Sequence, residues 1–152
     1  AGSTHEGKVM KSTLVLVAAA LLASAAFGQS FEVDSKPYWN TVSVEIKAGS
    51  TYELSVPTGE KWTDWYIDCG PEGYERTFLH LFDGLKRMPH LPYFRLVCCY
   101  APEESTCFDV GAGTTLQATM STDALHCFAN DVPHFYWNNK GSLQLDVSPA
   151  SL

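Results

Sequence analysis

Residues 41–56 read Thr-Val-Ser-Val-Glu-Ile-Lys-Ala-Gly-Ser-Thr-Tyr-Glu-Leu-Ser-Val, and this stretch decides the fold class. Apolar side chains take every second position in its first six and last six residues, and Ala48-Gly49-Ser50 between them is typical of a turn. Because successive side chains of a strand point to opposite faces of a sheet, this period of two predicts two strands with one buried face each. Burial on one face only is typical of antiparallel sheets.

The same organisation continues along the chain. The alternation recurs in two later runs: Leu116, Ala118 and Met120, then Leu143, Leu145 and Val147. Further turn signals lie at Pro57-Thr58-Gly59, Gly70-Pro71-Glu72-Gly73, Ala101-Pro102 and Gly111-Ala112-Gly113. Residues 77–85 have the best helical spacing, but Pro89 and Pro92 allow no more than a short helix. Short strands between frequent turns predict an all-β antiparallel sandwich.

Residues 10–28 have the organisation of a secretory leader. Lys11 follows Met10, Leu14–Ala23 is an apolar run, and Ala26-Phe27-Gly28 has the small residues of a cleavage site. A membrane helix is the alternative, but this run is shorter than the ~20 residues that span a bilayer. We therefore expect residues 1–9 to be unstructured upstream residues, residues 10–28 a signal peptide, and residues 29–152 one secreted domain.

The charge of the expected domain limits its partners. Residues 29–152 carry 8 basic and 16 acidic side chains, a net charge of −8. An acidic surface disfavours nucleic acid and anionic membrane, because both attract basic proteins. No other apolar run in this chain approaches the length of a membrane span, so we expect no membrane insertion. The balance suits an extracellular protein that holds a cation.

The cysteines also indicate an oxidising compartment. There are five: Cys69, Cys98, Cys99, Cys107 and Cys127. An odd number leaves a thiol unpaired or pairing between chains. Cys98 and Cys99 are adjacent in a strand-like run, so they point to opposite faces and cannot both reach one partner. We favour a bridge from one of them to Cys107 and, second, a bridge between Cys69 and Cys127. Zinc is the alternative, but no Cys or Cys/His pair has the spacing of a structural zinc site.

Residues 130–142 are the chemically richest segment. They read Asn-Asp-Val-Pro-His-Phe-Tyr-Trp-Asn-Asn-Lys-Gly-Ser and lie between two strand-like runs, Ala124–Ala129 and Ser142–Val147. Their Pro, Gly and Asn content predicts a turn rather than helix or strand. Carboxylate, amide and main-chain oxygens are the ligands of Ca²⁺, which takes about six to eight of them. A hairpin turn without metal is the alternative, since the same residues favour turns in any case.

This loop resembles the calcium and sugar loop of the LecA-like, PA-I type family of bacterial galactophilic lectins. Residues that match the family without a gap are Asn130, Asp131, Val132, Pro133, Tyr136, Asn138, Asn139, Gly141 and Ser142. Upstream, residues 70–73 resemble the family's Gly-Pro-Gln-Gly, and residues 80–85 resemble its His-Pro-Asp-Gln-Gly-Leu. The resemblance covers about residues 41–147 and implies a small jelly-roll-like β-sandwich.

The resemblance also implies a metal site. The ligands of Ca²⁺ would be the side chains of Asp131, Asn138 and Asn139 and the main-chain carbonyls of Phe135 and Trp65. Such a site has few carboxylates for a divalent ion, so the ion retains positive potential. Two vicinal hydroxyls of a terminal galactose-type hexose would then bind the ion as neutral oxygen ligands.

The sugar contacts follow from the same resemblance. They would be Asp131, Asn138, Val132, His80 and Asp83, and the partners would be galactose-containing glycans. Asp83 stands where the family has Gln, so it lacks the donor half of the amide. His134 and Trp137 replace two glycines of the loop. If those positions need positive φ, the replacements strain or reshape the loop; alternatively they extend the pocket with an aromatic platform.

Other functions leave weaker signals. Acidic and His residues form three local pairs: Asp64/Asp68, His80/Asp83 and Asp131/His134. No nucleophile elbow, HExxH motif or phosphate loop accompanies them, so we expect no enzyme. The alternative to a lectin is a secreted, calcium-stabilised structural or adhesive module without sugar binding. A monosaccharide site is weak by itself, so useful avidity calls for several sites, for example in a homo-oligomer. Of Trp62, Trp65, Tyr66 and Trp137, we expect at least two in the core.

Overall fold

A computed structural model describes residues 28–151. The expected upstream residues and all of the expected signal peptide except Gly28 lie outside this range. Eleven strands in the described part form three antiparallel sheets. They are β1 (Gln29–Asp34), β2 (Asn40–Val42), β3 (Thr51–Ser55), β4 (Trp62–Asp64), β5 (Ile67–Cys69), β6 (Leu96–Cys99), β7 (Cys107–Asp109), β8 (Gly113–Gln117), β9 (Leu125–Ala129), β10 (Asn139–Lys140) and β11 (Ser142–Pro149). No helix in residues 28–151 is long and apolar enough to cross a membrane.

Two four-stranded sheets make the sandwich. One has the order β1-β11-β3-β8 and the other β2-β9-β6-β7. Alternate residues of both sheets enter one buried cluster: Val33, Leu54, Leu143, Leu145 and Val147 from the first, and Val42, Leu96, Cys98, Leu125 and Cys127 from the second. Period-two alternation therefore places one face of each strand in the core. The predicted all-β antiparallel sandwich is confirmed.

Two runs depart from the predicted strands. β2 ends at Val42, and the next apolar residues reach the core through an irregular segment in which the N–H of Val44 donates to the carbonyl of Val42. Ile46 makes an isolated bridge to Thr122, and all three apolar side chains of this run are buried. Met120 was expected inside but is 44% exposed, because β8 has already ended at Gln117. The pattern predicted burial better than it predicted strand length.

Three short 3-10 helices lie between strands in the described chain: Thr77–Leu85, Glu104–Thr106 and Pro133–Asn138. The first confirms the short helix predicted before Pro89. The third corrects the prediction that the polar loop forms neither helix nor strand, as does the short strand β10. Pro133 stands at the start of that helix. A proline there has a suitable φ and lacks only an N–H that would have no helical partner.

The disulfides follow the strand register. β6 pairs with β9 so that Cys98 lies opposite Cys127, and β6 pairs with β7 so that Cys99 lies opposite Cys107. Both facing pairs are bridged. The predicted bridge to Cys107 is confirmed, and so is the opposite orientation of the two neighbouring cysteines. The predicted Cys69–Cys127 bridge is wrong, because Cys69 lies on β5 in the third sheet while Cys127 faces a closer partner. Cys69 is a buried free thiol.

Candidate functional site

The third sheet brings the polar loop beside a distant hairpin. Its order is β10-β4-β5, and β10 belongs to the loop while β4 and β5 form the hairpin. Asn139 pairs with Asp64, and the N–H of Trp65 in the hairpin turn donates to the carbonyl of Asn138 at 3.2 Å. The structure therefore places Trp65 against the predicted calcium loop, as the resemblance implied.

Asn130 fixes the start of the loop. Its side chain is fully buried, and its Oδ1 accepts from the N–H of Met88 at 2.9 Å. Its Nδ2 donates to the carbonyls of Met88, Leu91 and Pro92 at 3.0–3.2 Å. One amide thus holds the loop to residues 88–92. Asn130 belongs to the motif that resembles the lectin family, but no feature of the sequence indicates this anchoring role.

A second anchor stands behind the short helix of the loop. The hydroxyl of Tyr136 donates to the carbonyl of Ala129 at 2.6 Å and accepts from Arg87 Nη1 at 3.1 Å. The N–H of Arg87 donates to the carbonyl of Asp131 at 3.1 Å. The guanidinium is buried and pairs with Glu104 at 3.1 Å. Its aromatic neighbours are Tyr38, Trp39 and Phe128. No sequence signal marked this arginine, because only the fold surrounds it with rings.

Three oxygens in the loop lack a partner. Buried side-chain polar atoms almost always find one, since an unpaired group forfeits its hydration. Five such atoms in residues 28–151 have none, and three of them are Asp131 Oδ2, Asn138 Oδ1 and Asn139 Oδ1. These are the three side chains predicted to bind Ca²⁺. Their remaining polar atoms help to hold them: Asp131 Oδ1 accepts from the N–H of Val132 at 2.7 Å, and Asn139 Nδ2 donates to the carbonyl of Ser35 at 3.0 Å. The donor set fits a hard cation.

The electrostatics of the loop also favour a cation. Burial, and then the negative charge of Asp64, raise the pKa of Asp131 to about 7, although the N–H of Val132 and the Asn139 side chain oppose that shift. Burial raises the pKa of Asp64 as well, although a hydrogen bond from the Tyr74 hydroxyl opposes that shift. No Lys, Arg or His within residues 28–151 forms an ion pair with either carboxylate. Two neighbouring carboxyl groups, one buried and one partly exposed, therefore stand together without a cationic partner.

Main-chain oxygens complete the predicted ligand set. Trp65 has φ of 54°, a left-handed conformation that costs a non-glycine residue energy. Within the described residues its carbonyl accepts no hydrogen bond. Phe135 lies in the short helix of the loop, where its N–H donates to the carbonyl of Val132 at 2.9 Å. Trp65 is the first residue of the two-residue turn between β4 and β5, and such turns require a positive φ at that position.

A cleft of about 480 Å³ opens beside these oxygens. Asp64, Asp131 and Asn138 are polar members of its wall, and Val132 lies there as predicted. Much of the wall is apolar and partly exposed: Trp65, Tyr66, Phe78, Phe82, Leu85 and Phe135. His134 and Trp137 are not among its lining residues, and neither has positive φ. The loop thus accommodates both replacements of glycine in its 3-10 turn.

His80 and Asp83 lie elsewhere. A 3-10 helix repeats every three residues, so Leu79, Phe82 and Leu85 line the cleft while His80, Asp83 and Lys86 share another edge. That edge borders a smaller pocket of about 120 Å³. His80 Nδ1 and Asp83 Oδ2 are 3.0 Å apart, and Lys86 Nζ is 3.0 Å from Asp83 Oδ1. Hydrogen bonds from His80 and Lys86 lower the pKa of Asp83. The structure brings the two predicted sugar contacts together but not into the cleft.

The exposure of four aromatic residues corrects another expectation. Of the four aromatic residues singled out, only Trp62 is buried, against the ring of Phe94. Trp65, Tyr66 and Trp137 are 65%, 62% and 69% exposed. Trp65 and Tyr66 form the turn of the β4–β5 hairpin, which removes them from the core. The prediction of at least two core members is wrong, and the two exposed turn residues belong to the cleft instead.

The ligand chemistry is restricted. Within residues 28–151, no three His, Cys, Asp or Glu side chains come together as a metal site. A cation here would therefore depend on amide and main-chain oxygens as well as carboxylates, a donor set that suits Ca²⁺ rather than the softer transition metals.

Comparison with known proteins gives a fold-level result. The sequence matches no protein-family model and no curated protein. The structure is similar to the solved N-terminal domain of EclA, a PllA-like lectin. This similarity has a TM-score of 0.58 at 19% sequence identity and covers 80% of this chain and 95% of that one. The chain shares the fold of this lectin domain. The narrower resemblance to LecA-like lectins stays a prediction.

Proposed function

We propose that this chain is a secreted lectin that binds terminal hexoses, galactose first, through a Ca²⁺ ion held by the 130–139 loop. The observation that carries the proposal is the set of three buried oxygens without partners, on Asp131, Asn138 and Asn139. The similarity to the fold of the EclA lectin domain supports the proposed sugar binding. The two disulfides support the proposed location in an oxidising compartment.

Each residue of the loop has a definite task in this proposal. Asp131 supplies negative charge, while Asn138 and Asn139 supply neutral amide oxygens. The carbonyls of Trp65 and Phe135 supply main-chain oxygens. Bound Ca²⁺ would offer open positions to two vicinal sugar hydroxyls. Such a ligand set suits Ca²⁺, which accepts carboxylate, amide and main-chain oxygens in flexible geometry.

Rigidity of the loop is the second requirement. Four hydrogen bonds of the Asn130 side chain hold the start of the loop, and Tyr136 is hydrogen-bonded to Arg87 behind the short helix. Ligand oxygens that are already in place lose less conformational entropy on binding, so anchors of this kind favour affinity. The buried anchors therefore serve the site without contacting its ligands.

The cleft provides the surface on which the sugar would lie. Trp65 and Phe135 expose aromatic rings beside the loop, and the C–H faces of a hexose pack well on such rings. Val132 borders the same cleft. His80 and Asp83 border the neighbouring pocket, and we assign them to hydroxyls at the periphery of a larger glycan. Single sites would be weak, so clustering in an oligomer would supply avidity.

Calorimetric titration of the purified protein tests this proposal. Galactose and mannose are each titrated into protein saturated with Ca²⁺ and into protein treated with EDTA. We expect heat from galactose only in the presence of Ca²⁺. Binding that survives EDTA would overturn the metal-mediated mechanism.

Two further measurements test the alternative function. A calcium-stabilised structural or adhesive module would melt at a higher temperature with Ca²⁺ and bind no sugar. A glycan array with Ca²⁺-loaded protein separates the two, because a lectin must bind some terminal hexose there.

A further inference from the structure

Asp64 lies beside the predicted calcium ligands although the resemblance does not include it. β4 pairs with β10 so that Asp64 faces Asn139 directly. Directly opposed residues of an antiparallel pair have their side chains on the same face, with Cβ atoms about 5 Å apart. Asn139 is 1% exposed, and its Oδ1 lacks a partner within the described chain. The Asp64 carboxylate therefore stands next to one of the unpartnered oxygens.

The two oxygens of Asp64 have different surroundings. Oδ2 accepts a hydrogen bond from the Tyr74 hydroxyl, which limits the rotation of the carboxylate. Oδ1 accepts no hydrogen bond from residues 28–151, and Asp64 lines the cleft together with Asp131 and Asn138. One oxygen is thus held and the other is available to a ligand at the loop.

The charges of Asp64 and Asp131 favour a cation at this position. Asp131 is 3% exposed, its Oδ2 has no partner, and no cationic side chain in the described part of the protein pairs with it or with Asp64. Two neighbouring carboxylates, of which Asp131 is buried and Asp64 partly exposed, repel each other unless a positive charge lies between or beside them. The unpartnered amide oxygens of Asn138 and Asn139 place that positive charge at the loop.

We infer that Asp64 is the second carboxylate of the cation site, an inference that rests on the proposed function. Two carboxylates neutralise a divalent ion, whereas Asp131 alone leaves one positive charge. The number of charged ligands is one determinant of Ca²⁺ affinity in proteins. Asp64 then makes the site tighter than a loop with Asp131 alone would be.

Calorimetric titration with CaCl₂ tests the role of Asp64. Asp64→Asn removes the charge and keeps an oxygen that accepts from Tyr74, so the local geometry is preserved. We expect Ca²⁺ affinity to fall about tenfold or more, since ligand charge is a principal determinant of affinity.

Asp68→Asn is the matched control. Asp68 lies on the same hairpin but is exposed, and it pairs across the strands with Thr63, on the face opposite to Asp64. Its Ca²⁺ affinity should equal that of the wild type.

The outcomes separate the inference from the proposed function. Equal Ca²⁺ affinity of Asp64→Asn and wild type would overturn the role of Asp64 and leave the calcium lectin standing. Absence of Ca²⁺ binding by the wild type would overturn both. If Asp64→Asn is too unstable for calorimetry, melting at a series of CaCl₂ concentrations gives the same answer. The concentration that produces half of the stabilisation should rise by the same factor.

Discussion

The 130–139 loop and the His80–Asp83 edge come from the same family resemblance but differ in their surroundings. The loop contains three buried oxygens without partners, while His80 and Asp83 are hydrogen-bonded to each other at the surface. A buried oxygen without a partner has lost its hydration and gains strongly from a ligand. An exposed residue that has a hydrogen-bond partner has lost no interaction that a ligand would need to replace. Of the two predicted regions, only the loop therefore has buried oxygens that a bound cation would satisfy.

The largest expected effect is at the anchor of the loop. Asn130→Ala deletes the four hydrogen bonds of a fully buried side chain and leaves their backbone partners unpaired, so we expect a loss of about 3 kcal/mol of unfolding free energy. Asn138→Ala, measured in EDTA, should be nearly neutral, because it removes an oxygen that has no partner. Urea denaturation of both variants measures this difference. Equal destabilisation would contradict the distinction between anchor and ligand.

Calcium removal should have the next largest effect. A ligand that binds only the folded state contributes about 2.7 kcal/mol at a hundredfold excess over Kd. EDTA should therefore lower the melting temperature of the wild-type protein by several degrees and leave Asp131→Asn unchanged. His80→Ala is the control on the other side of the comparison and should keep the full response to EDTA. Melting curves of the wild type that coincide with and without EDTA would refute the metal site.

A smaller effect is expected from the surface edge. His80→Ala should weaken the binding of a galactose-terminated oligosaccharide about fivefold, the value of one hydrogen bond of about 1 kcal/mol, and leave Ca²⁺ affinity unchanged. Asp131→Asn should abolish both. Calorimetry with each ligand separates the two regions. Loss of Ca²⁺ binding in His80→Ala would show that the regions form one site.

The smallest effect concerns Cys69, which neither region contains. Burial, and then the charge of Asp64, raise the pKa of this thiol to about 12. Well below that pKa each unit of pH raises the reactive thiolate fraction about tenfold. Thiol titration should find one group in denatured, non-reduced protein and very slow labelling of native protein at pH 8. Rapid native labelling would contradict the burial, and five reactive thiols in denatured protein would contradict both bridges.

The site divides into parts that the sequence could predict and parts that it could not. Asp131, Asn138 and Asn139 were found because they lie together in the chain and match a gapless motif. Trp65 was found only through the resemblance. In the sequence Asp64 is visible only as half of the local pair Asp64/Asp68. Its place beside the loop depends on the pairing of β4 with β10, which no local motif predicts. Local motifs are visible in a sequence, whereas contacts between distant segments depend on the register of strands.

The sequence by itself determined the fold class, the buried faces of most strands, the opposite orientations of Cys98 and Cys99, and the composition of the ligand loop. These properties follow from local rules, chiefly the period of two in a strand and the preferences of turn residues. The tertiary structure alone decided that Cys127 bridges Cys98, that His80 and Asp83 lie outside the cleft, and that Arg87 and Asp64 lie beside the loop. Each of these depends on which segments pack side by side. The packing of the complete core determines those neighbours, and no single segment does.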